Sequence, residues 1–211
     1  MNKQLFVTGI GTGVGKTMVS AVFVEALQAD YWKPIQSGDL ESSDSQFVNS
    51  LTSSHLKIHT ERYQLKKAAS PHQSAKEEGI EIKLTDFEIP KTSNNLIIEG
   101  AGGLFVPINE QDYMIDLIHQ FNLSTIVVAT NYLGCINHTL LTLEALKTRN
   151  IQVDYFVFNE NFDEDTSRAI KNSIPPEVAI INIPMFESIN SNEISELAKI
   201  VYKELNLAHK K

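Results

Sequence analysis

The 211-residue chain carries a single cysteine, Cys135, so no intrachain disulfide can form and cysteine-rich metal motifs are excluded. Long apolar runs are missing too: nothing approaches the ~18 consecutive apolar residues that a membrane span needs. The start, Met1-Asn2-Lys3-Gln4 and then Leu5-Phe6-Val7, offers only three apolar residues before the glycines begin, too short for a signal-peptide core. Basic charge is scarce, with 18 Lys+Arg against 26 Asp+Glu and a net charge of -8, and no Lys/Arg stripe marks a nucleic-acid surface. The pairs Lys66-Lys67 and Lys210-Lys211 read as solvated surface and tail. Internal repeats and low-complexity linkers are absent. These absences leave a soluble, cytoplasmic chain with no nucleic-acid or membrane partner. At ~150 residues per domain, a single domain over 1–211 is the default. Net acidity does not exclude an anionic ligand, because a site can be locally positive.

What is present is a series of short apolar runs, each followed by a loop and usually by a helical pattern. Leu5 to Thr8 leads into glycines, and Val19, Val22, Phe23 and Ala26 then share one helix face. Tyr31-Trp32-Lys33 reads as a short strand stopped by Pro34. Leu96-Ile97-Ile98, Thr125 to Ala129, Tyr155 to Phe158 and Val178 to Ile183 read as further strands. Leu140, Leu143 and Leu146 predict a helix, and Ile194, Leu197, Ala198, Val201 and Leu205 predict the closing one. Apolar strands alternating with helices imply an α/β fold, a mostly parallel sheet with helices on both faces. Ligands in such folds gather beyond the carboxyl ends of the strands. The stretch from Gln36 to Pro90 is the least regular, and its structure is not legible from local pattern.

After the first strand comes Gly9-Ile10-Gly11-Thr12-Gly13-Val14-Gly15-Lys16-Thr17, followed by a helix. Closely spaced glycines let backbone N–H groups converge on phosphate oxygens, and the helix N-terminus adds partial positive charge. Lys16 supplies a full charge to the terminal phosphates, and the Thr17 hydroxyl is a Mg²⁺ ligand in this pattern. The strict G-x-x-x-x-G-K-[ST] spacing would put glycine at position 10. Here that position is Ile10, so the loop is a long P-loop variant starting at Gly9.

A P-loop nucleotide needs an acidic group at a neighbouring strand end to organise its metal. Glu99, after Leu96-Ile97-Ile98 and before Gly100-Ala101-Gly102-Gly103, fits that place. Asp44, in Ser42-Ser43-Asp44-Ser45, reads locally as a helix N-cap, with a second metal carboxylate as the alternative. Lys33, beside Pro34 and ahead of Gly38, stands at a strand end where a fixed charge could stabilise a transferring phosphoryl group, although most lysines are simply solvated.

Together the segments resemble the dethiobiotin synthetase family. The pieces are Phe6-Val7-Thr8-Gly9 with Val14-Gly15-Lys16-Thr17, Trp32-Lys33-Pro34 with Ser37-Gly38, Ser70-Pro71-His72, and Ile98 to Gly103. Leu133-Gly134-Cys135-Ile136-Asn137-His138 and Val157-Phe158-Asn159 complete them, in the family's order from residue 6 to about 185. The resemblance implies a P-loop enzyme, an ATP-dependent cyclo-ligase. It would convert 7,8-diaminononanoate, bicarbonate-derived CO₂ and Mg²⁺-ATP to dethiobiotin, ADP and phosphate, through a carbamate and a carbamic–phosphoric anhydride. By the same resemblance Lys16 and Lys33 are catalytic, and Thr17, Asp44 and Glu99 hold Mg²⁺, which reverses the cap reading of Asp44. Thr12 and Ser37 would bind the diamine. Gly13, Val14, Gly15, Lys16, Thr17, Met18, Asp44, Glu99, Gly100, Ala101 and Gly102 would bind ATP, with Asn159 and Ile183-Pro184-Met185 at the adenine. Met18 belongs to this set by position, its side chain reading as packing. The family is a homodimer in which Gly134, Cys135, Ile136 and Asn137 of one subunit receive the substrate carboxylate of the other.

Two departures stand out: Gly11 and Gly13 occupy loop positions that are commonly acidic or polar in the family. Cys135 reads as a packed residue, since no activating arrangement is visible. His72 is equally a substrate-side or a surface residue, and His55, His59, His119, His138 and His209 lack metal-ligand spacing. The competing class is a P-loop partitioning ATPase. Those proteins carry a second lysine early in the loop, where this chain has Gly11, and an amphipathic membrane-binding tail, which it lacks. A non-enzymatic nucleotide-binding subunit would leave Trp32-Lys33-Pro34 and Gly134 to His138 without a purpose.

Overall fold

A computed structural model of the chain describes residues 2–186 and 189–208; His209, Lys210 and Lys211 lie outside them. The elements run β1 (Gln4–Gly9), α1 (Lys16–Leu27), β2 (Ala29–Trp32), β3 (Ile35–Ser37), α2 (Asp44–Leu51), β4 (Ile58–His59), β5 (Tyr63–Leu65) and α3 (Pro71–Glu77). They continue with β6 (Asn95–Gly103), α4 (Met114–Phe121), β7 (Ser124–Thr130), α5 (Cys135–Thr148), β8 (Val153–Asn159), α6 (Glu164–Lys171), β9 (Ala179–Ile183) and α7 (Ser191–Ala208).

Seven strands form one sheet in the order β4-β2-β6-β1-β7-β8-β9, and every pairing in it is parallel. β3 and β5 pair separately, also parallel. Consecutive residues such as Phe6 and Val7, or Val127 and Val128, are all buried, so both faces of the sheet are covered. β1 lies at the centre, held between β6 and β7, and its carboxyl end delivers the glycine loop to the edge of the sheet.

Most expected elements form where the apolar pattern puts them. In α1, Val19, Val22, Phe23 and Ala26 are buried, but so are Ala21 and Val24, because α7 packs along the outer side of α1. The closing helix buries Ile194, Leu197, Ala198, Val201 and Leu205, as its spacing predicts. Strand β2 ends at Trp32, so Lys33 stands just beyond it.

Helix α5 forms where the leucine spacing predicts a helix. Its buried positions are Cys135, Thr139, Thr142 and Leu146, while Leu140 and Leu141 are exposed and Leu143 is half-buried. Small side chains, with Leu146, face the protein, and Ile136, Leu140 and Leu141 point away. The irregular stretch from Gln36 to Pro90 holds the end of β3, then α2, β4, β5 and α3, and β3, α2 and the start of α3 line one wall of a cavity beside the carboxyl end of the main sheet.

Candidate active site

The glycine loop runs from the end of β1 into α1. Gly15 is the N-cap of α1 with φ 82, in the left-handed region that glycine enters without strain. A Cβ there would stand 2.2 Å from Asn159 Nδ2, so a side chain would also have to displace the Asn159 amide. No side chain caps α1, which leaves the N–H groups of its first turn to a ligand.

The charged groups meet at the foot of α1. Glu99 is fully buried and lies inside β6, four residues before its end at Gly103, rather than at the strand terminus. Its carboxylate accepts from Thr17 Oγ1 (2.9 Å), Tyr31 OH (2.9 Å) and Lys33 Nζ (3.3 Å). Lys33 Nζ also donates to Asp44, so one ammonium bridges two carboxylates. Burial alone would lower the Lys33 pKa, but the charges of Glu99 and Asp44 and the bonds to them hold it above the ordinary lysine value. Burial pushes Asp44 up, and Lys33, with Thr17 and Lys16, outweighs it, so that carboxyl stays below the usual range. At Lys16 burial dominates. Glu99 and Asp44 oppose it, Lys33 reinforces it, and the pKa falls below its usual value. Burial, then the Glu99 charge, raises the Tyr31 phenol well above its ordinary value, so this hydroxyl stays a donor to Glu99.

Asp44 is not a helix cap. Ser43 is the N-cap of α2, its side chain accepting from Gln46 N while Gln46 Oε1 accepts from Ser43 N. That capping box fixes the first turn and leaves the Asp44 carboxylate free to meet Lys33.

Around this cluster lies a cavity of ≈ 790 Å³. Of the residues singled out in the sequence, Thr12, Gly13, Gly15, Lys16, Thr17, Lys33, Ser37, Asp44, Glu99, Ala101 and Gly102 line it. Val14 and Met18 instead point into the core, and Gly100 packs on Phe6, where a Cβ would stand 2.7 Å from the ring. Asn159 lies beside the loop. Its Nδ2 donates to Val14 O (3.0 Å), and its Oδ1 is buried without a partner. Pro184 lines a different cavity of ≈ 300 Å³ together with Glu160 and Lys171.

Gly134, Cys135, Ile136 and Asn137 form the start of α5, outside the main cavity of their own chain; Cys135 is buried and Gly134 has φ 103. Tyr31 was missed in the sequence although a signal existed. Alternation in a strand sends Tyr31 and Lys33 to the same side. Ser70 and Pro71, from the Ser70-Pro71-His72 segment, also line the cavity, as does Gln36, which no local pattern announces.

A family model described as an AAA domain matches residues 3–193. The ATP-dependent dethiobiotin synthetase BioD of Cytophaga hutchinsonii is 52% identical over 170 residues, covering 80% of this chain and 82% of that protein. That of Christiangramia forsetii is 48% identical over 172 residues, covering 81% and 83%. Among solved structures, a ParA family ATPase from Chlorobium tepidum TLS aligns with a TM-score of 0.57, covering 94% of this chain and 98% of that one. At 16% identity that likeness is one of fold alone. The cavity sits on a P-loop sheet of that common architecture, but the identity runs with the synthetases over four-fifths of the chain. This protein belongs to the ATP-dependent dethiobiotin synthetase family.

Proposed function

We propose that this chain, working as one domain over 1–211 in the cytoplasm, carboxylates and cyclises 7,8-diaminononanoate with CO₂ and ATP, yielding dethiobiotin, ADP and phosphate. The observation that carries the reading is Lys33, bonded to Asp44 and Glu99 beside Thr17, in a cavity that also takes the P-loop. Such a site gathers positive charge where a phosphoryl group is transferred and hard oxygen donors where a metal is held.

The P-loop backbone and Lys16 bind the ATP phosphates, and Gly13 to Thr17 with Ala101 and Gly102 shape their cradle. Asn159 Oδ1, buried and unpartnered, is an acceptor for the exocyclic amine of adenine. Pro184, at the end of β9, borders the base on its other side. Thr17, Asp44 and Glu99 present only oxygen donors, the set a Mg²⁺ ion takes. Bound there, Mg²⁺ supplies neutralisation of the charge on the phosphate oxygens. Lys33 then works on the substrate: its ammonium balances the carbamate and the transferring phosphoryl group, which bring two anions together. Thr12 and Ser37 hydrogen-bond the diamine or its carbamate; Ser37 Oγ is buried and without a partner.

The reading extends to a homodimer. Leu133, Ile136, Leu140 and Leu141 present a run of exposed apolar side chains at the start of α5. A second copy seated on that face would cover them, and its Gly134 to Asn137 would offer backbone N–H groups to the substrate carboxylate.

The test is ADP release by the purified protein with Mg²⁺-ATP and bicarbonate, with and without 7,8-diaminononanoate, together with the mass of the product. Diamine-dependent ADP release with dethiobiotin formed is the expected result. ATP binding with no response to the diamine would overturn the reading in favour of a regulatory ATPase.

A further inference from the structure

Ser70 is the N-cap of α3, yet its side chain makes no cap hydrogen bond. The two donors that a capping serine would satisfy are already used. The His72 N–H goes to Pro107 O (3.3 Å), and the Gln73 N–H goes to the carbonyl of Ser70 (3.0 Å). Pro71, at the first helical position, presets the helix start without help from the hydroxyl. Ser70 Oγ is paired instead with His72 Nδ1 at 3.0 Å, and Ser70 lines the same cavity as Lys16, Lys33 and Ser37. A residue that gives up its usual local role beside a site is poised for another one.

From this arrangement we infer that the Ser70 hydroxyl is a further contact of the substrate, holding the amine that is not carboxylated, and that His72 is its positioning residue. The inference rests on the diamine reading above.

Two chemically distinct ends must share the cavity. The carboxylated nitrogen becomes an anion and belongs with the lysines. The other nitrogen must stay neutral, because its lone pair closes the ring. A carboxylate partner would hold it as an ammonium and block that step, and Asp44 and Glu99 are in any case engaged by Lys33, Thr17 and Tyr31. A hydroxyl oxygen accepts an N–H without demanding a positive charge. With His72 Nδ1 accepting the Ser70 proton, the lone pairs of Oγ are left for the amine N–H, and the nitrogen lone pair remains free for attack. His72 thus acts through Ser70, and its backbone anchor on Pro107 O keeps the ring in place.

The experiment compares the parent with S70A, S70T, H72A and H72N by steady-state kinetics and by calorimetric binding of 7,8-diaminononanoate. S70A should raise KM for the diamine, and weaken its binding, ~10-fold or more, as expected for a lost hydrogen bond in a buried site. KM for ATP and Tm should not move. S70T keeps the hydroxyl and should recover most of what S70A loses. H72A should fall between S70A and the parent, and H72N, whose side-chain carbonyl can accept where Nδ1 does, should recover most of the loss. Diamine KM and binding within twofold of the parent in S70A would overturn the inference. So would parallel losses for ATP and the diamine accompanied by a fall in Tm, since that is a structural role. If the parent binds the diamine without releasing ADP and S70A binds it more weakly, the synthetase reading falls and the Ser70 contact stands. If the parent does not bind the diamine, the Ser70 contact falls.

Discussion

Replacing Lys33 by methionine removes the one ammonium that joins Asp44 and Glu99 while keeping a side chain of similar length. Lys33 is 4% exposed and Glu99 0%, so the variant leaves a buried carboxylate without its cation. Removing one partner of a buried ion pair costs ~3–5 kcal/mol. Two features place the effect at the lower end of that range. Glu99 keeps the Thr17 and Tyr31 hydroxyls, and Asp44, with its side chain 35% exposed, is screened by water. In a chain of this size each kcal/mol moves Tm by ~2–4 °C, so about 3 kcal/mol predicts a fall of ~6–12 °C by scanning calorimetry without divalent metal. Neutralising the stranded carboxylate in the double variant K33M/E99Q should return part of that loss. Turnover should fall ~10²–10³-fold, the scale for removing one group that stabilises transition-state charge, with a smaller change in ATP affinity. A Tm within ~2 °C of the parent, or a double variant less stable than K33M, would refute the electrostatic account of the cluster. Unchanged turnover would discard Lys33 as a catalytic residue.

Gly15→Ala should abolish ATP binding in a calorimetric titration, because φ 82 and a Cβ 2.2 Å from Asn159 Nδ2 together force the loop to move. Asp30 offers a pH test. Burial would raise its pKa, but bonds from Thr92, Asn94, the Lys57 backbone and His59 outweigh it and hold the carboxyl below the usual range. The resulting stability is complete above the unfolded value of ~3.9 and is lost as pH falls through the folded one. Thr92→Val should therefore lower Tm at pH 7 and converge with the parent in acid; an equal offset at both pH values would refute the linkage. Leu141→Asp puts a charge on an exposed apolar position of α5, and sedimentation should show monomers with Tm little changed. A dimer that persists would move the interface elsewhere.

Much of the phosphate end was legible in the sequence because the P-loop is a local code: strand, glycines, Gly-Lys-Thr and helix are contiguous. Around Lys33, the lysine and Glu99 could be singled out as strand-end residues, but their meeting with Asp44 was not legible in local pattern. Asp44 lies 11 residues from Lys33, and Glu99 lies 66 residues away. Only pairing in the sheet and the α2 capping box bring them together. Local preference favoured Asp44 as a cap, and Ser43 won because the residue three positions after it is Gln46, which completes the reciprocal box. Helix α5 was legible as a helix, but not which of its faces packs inward. Hydrophobic spacing identifies an apolar stripe but cannot tell a core from a surface that awaits a partner, and Cys135, Thr139 and Thr142 were small enough to take the inner seam.

Strand β6 has a further meaning for how the molecule comes into being. Ile98 is paired with Phe6 on one side and with Trp32 on the other, so the strand that carries Glu99 is the common rail between the strands leading to Thr17 and Lys33. A slip of one residue would turn Glu99 to the opposite face of the sheet. Because β6 is inserted between β1 and β2 only after some sixty residues of intervening chain, its pairing is a non-local and comparatively slow event. The glycine loop alone therefore carries no chemistry: Glu99 reaches Thr17 and Lys33 only once β6 is seated between β1 and β2.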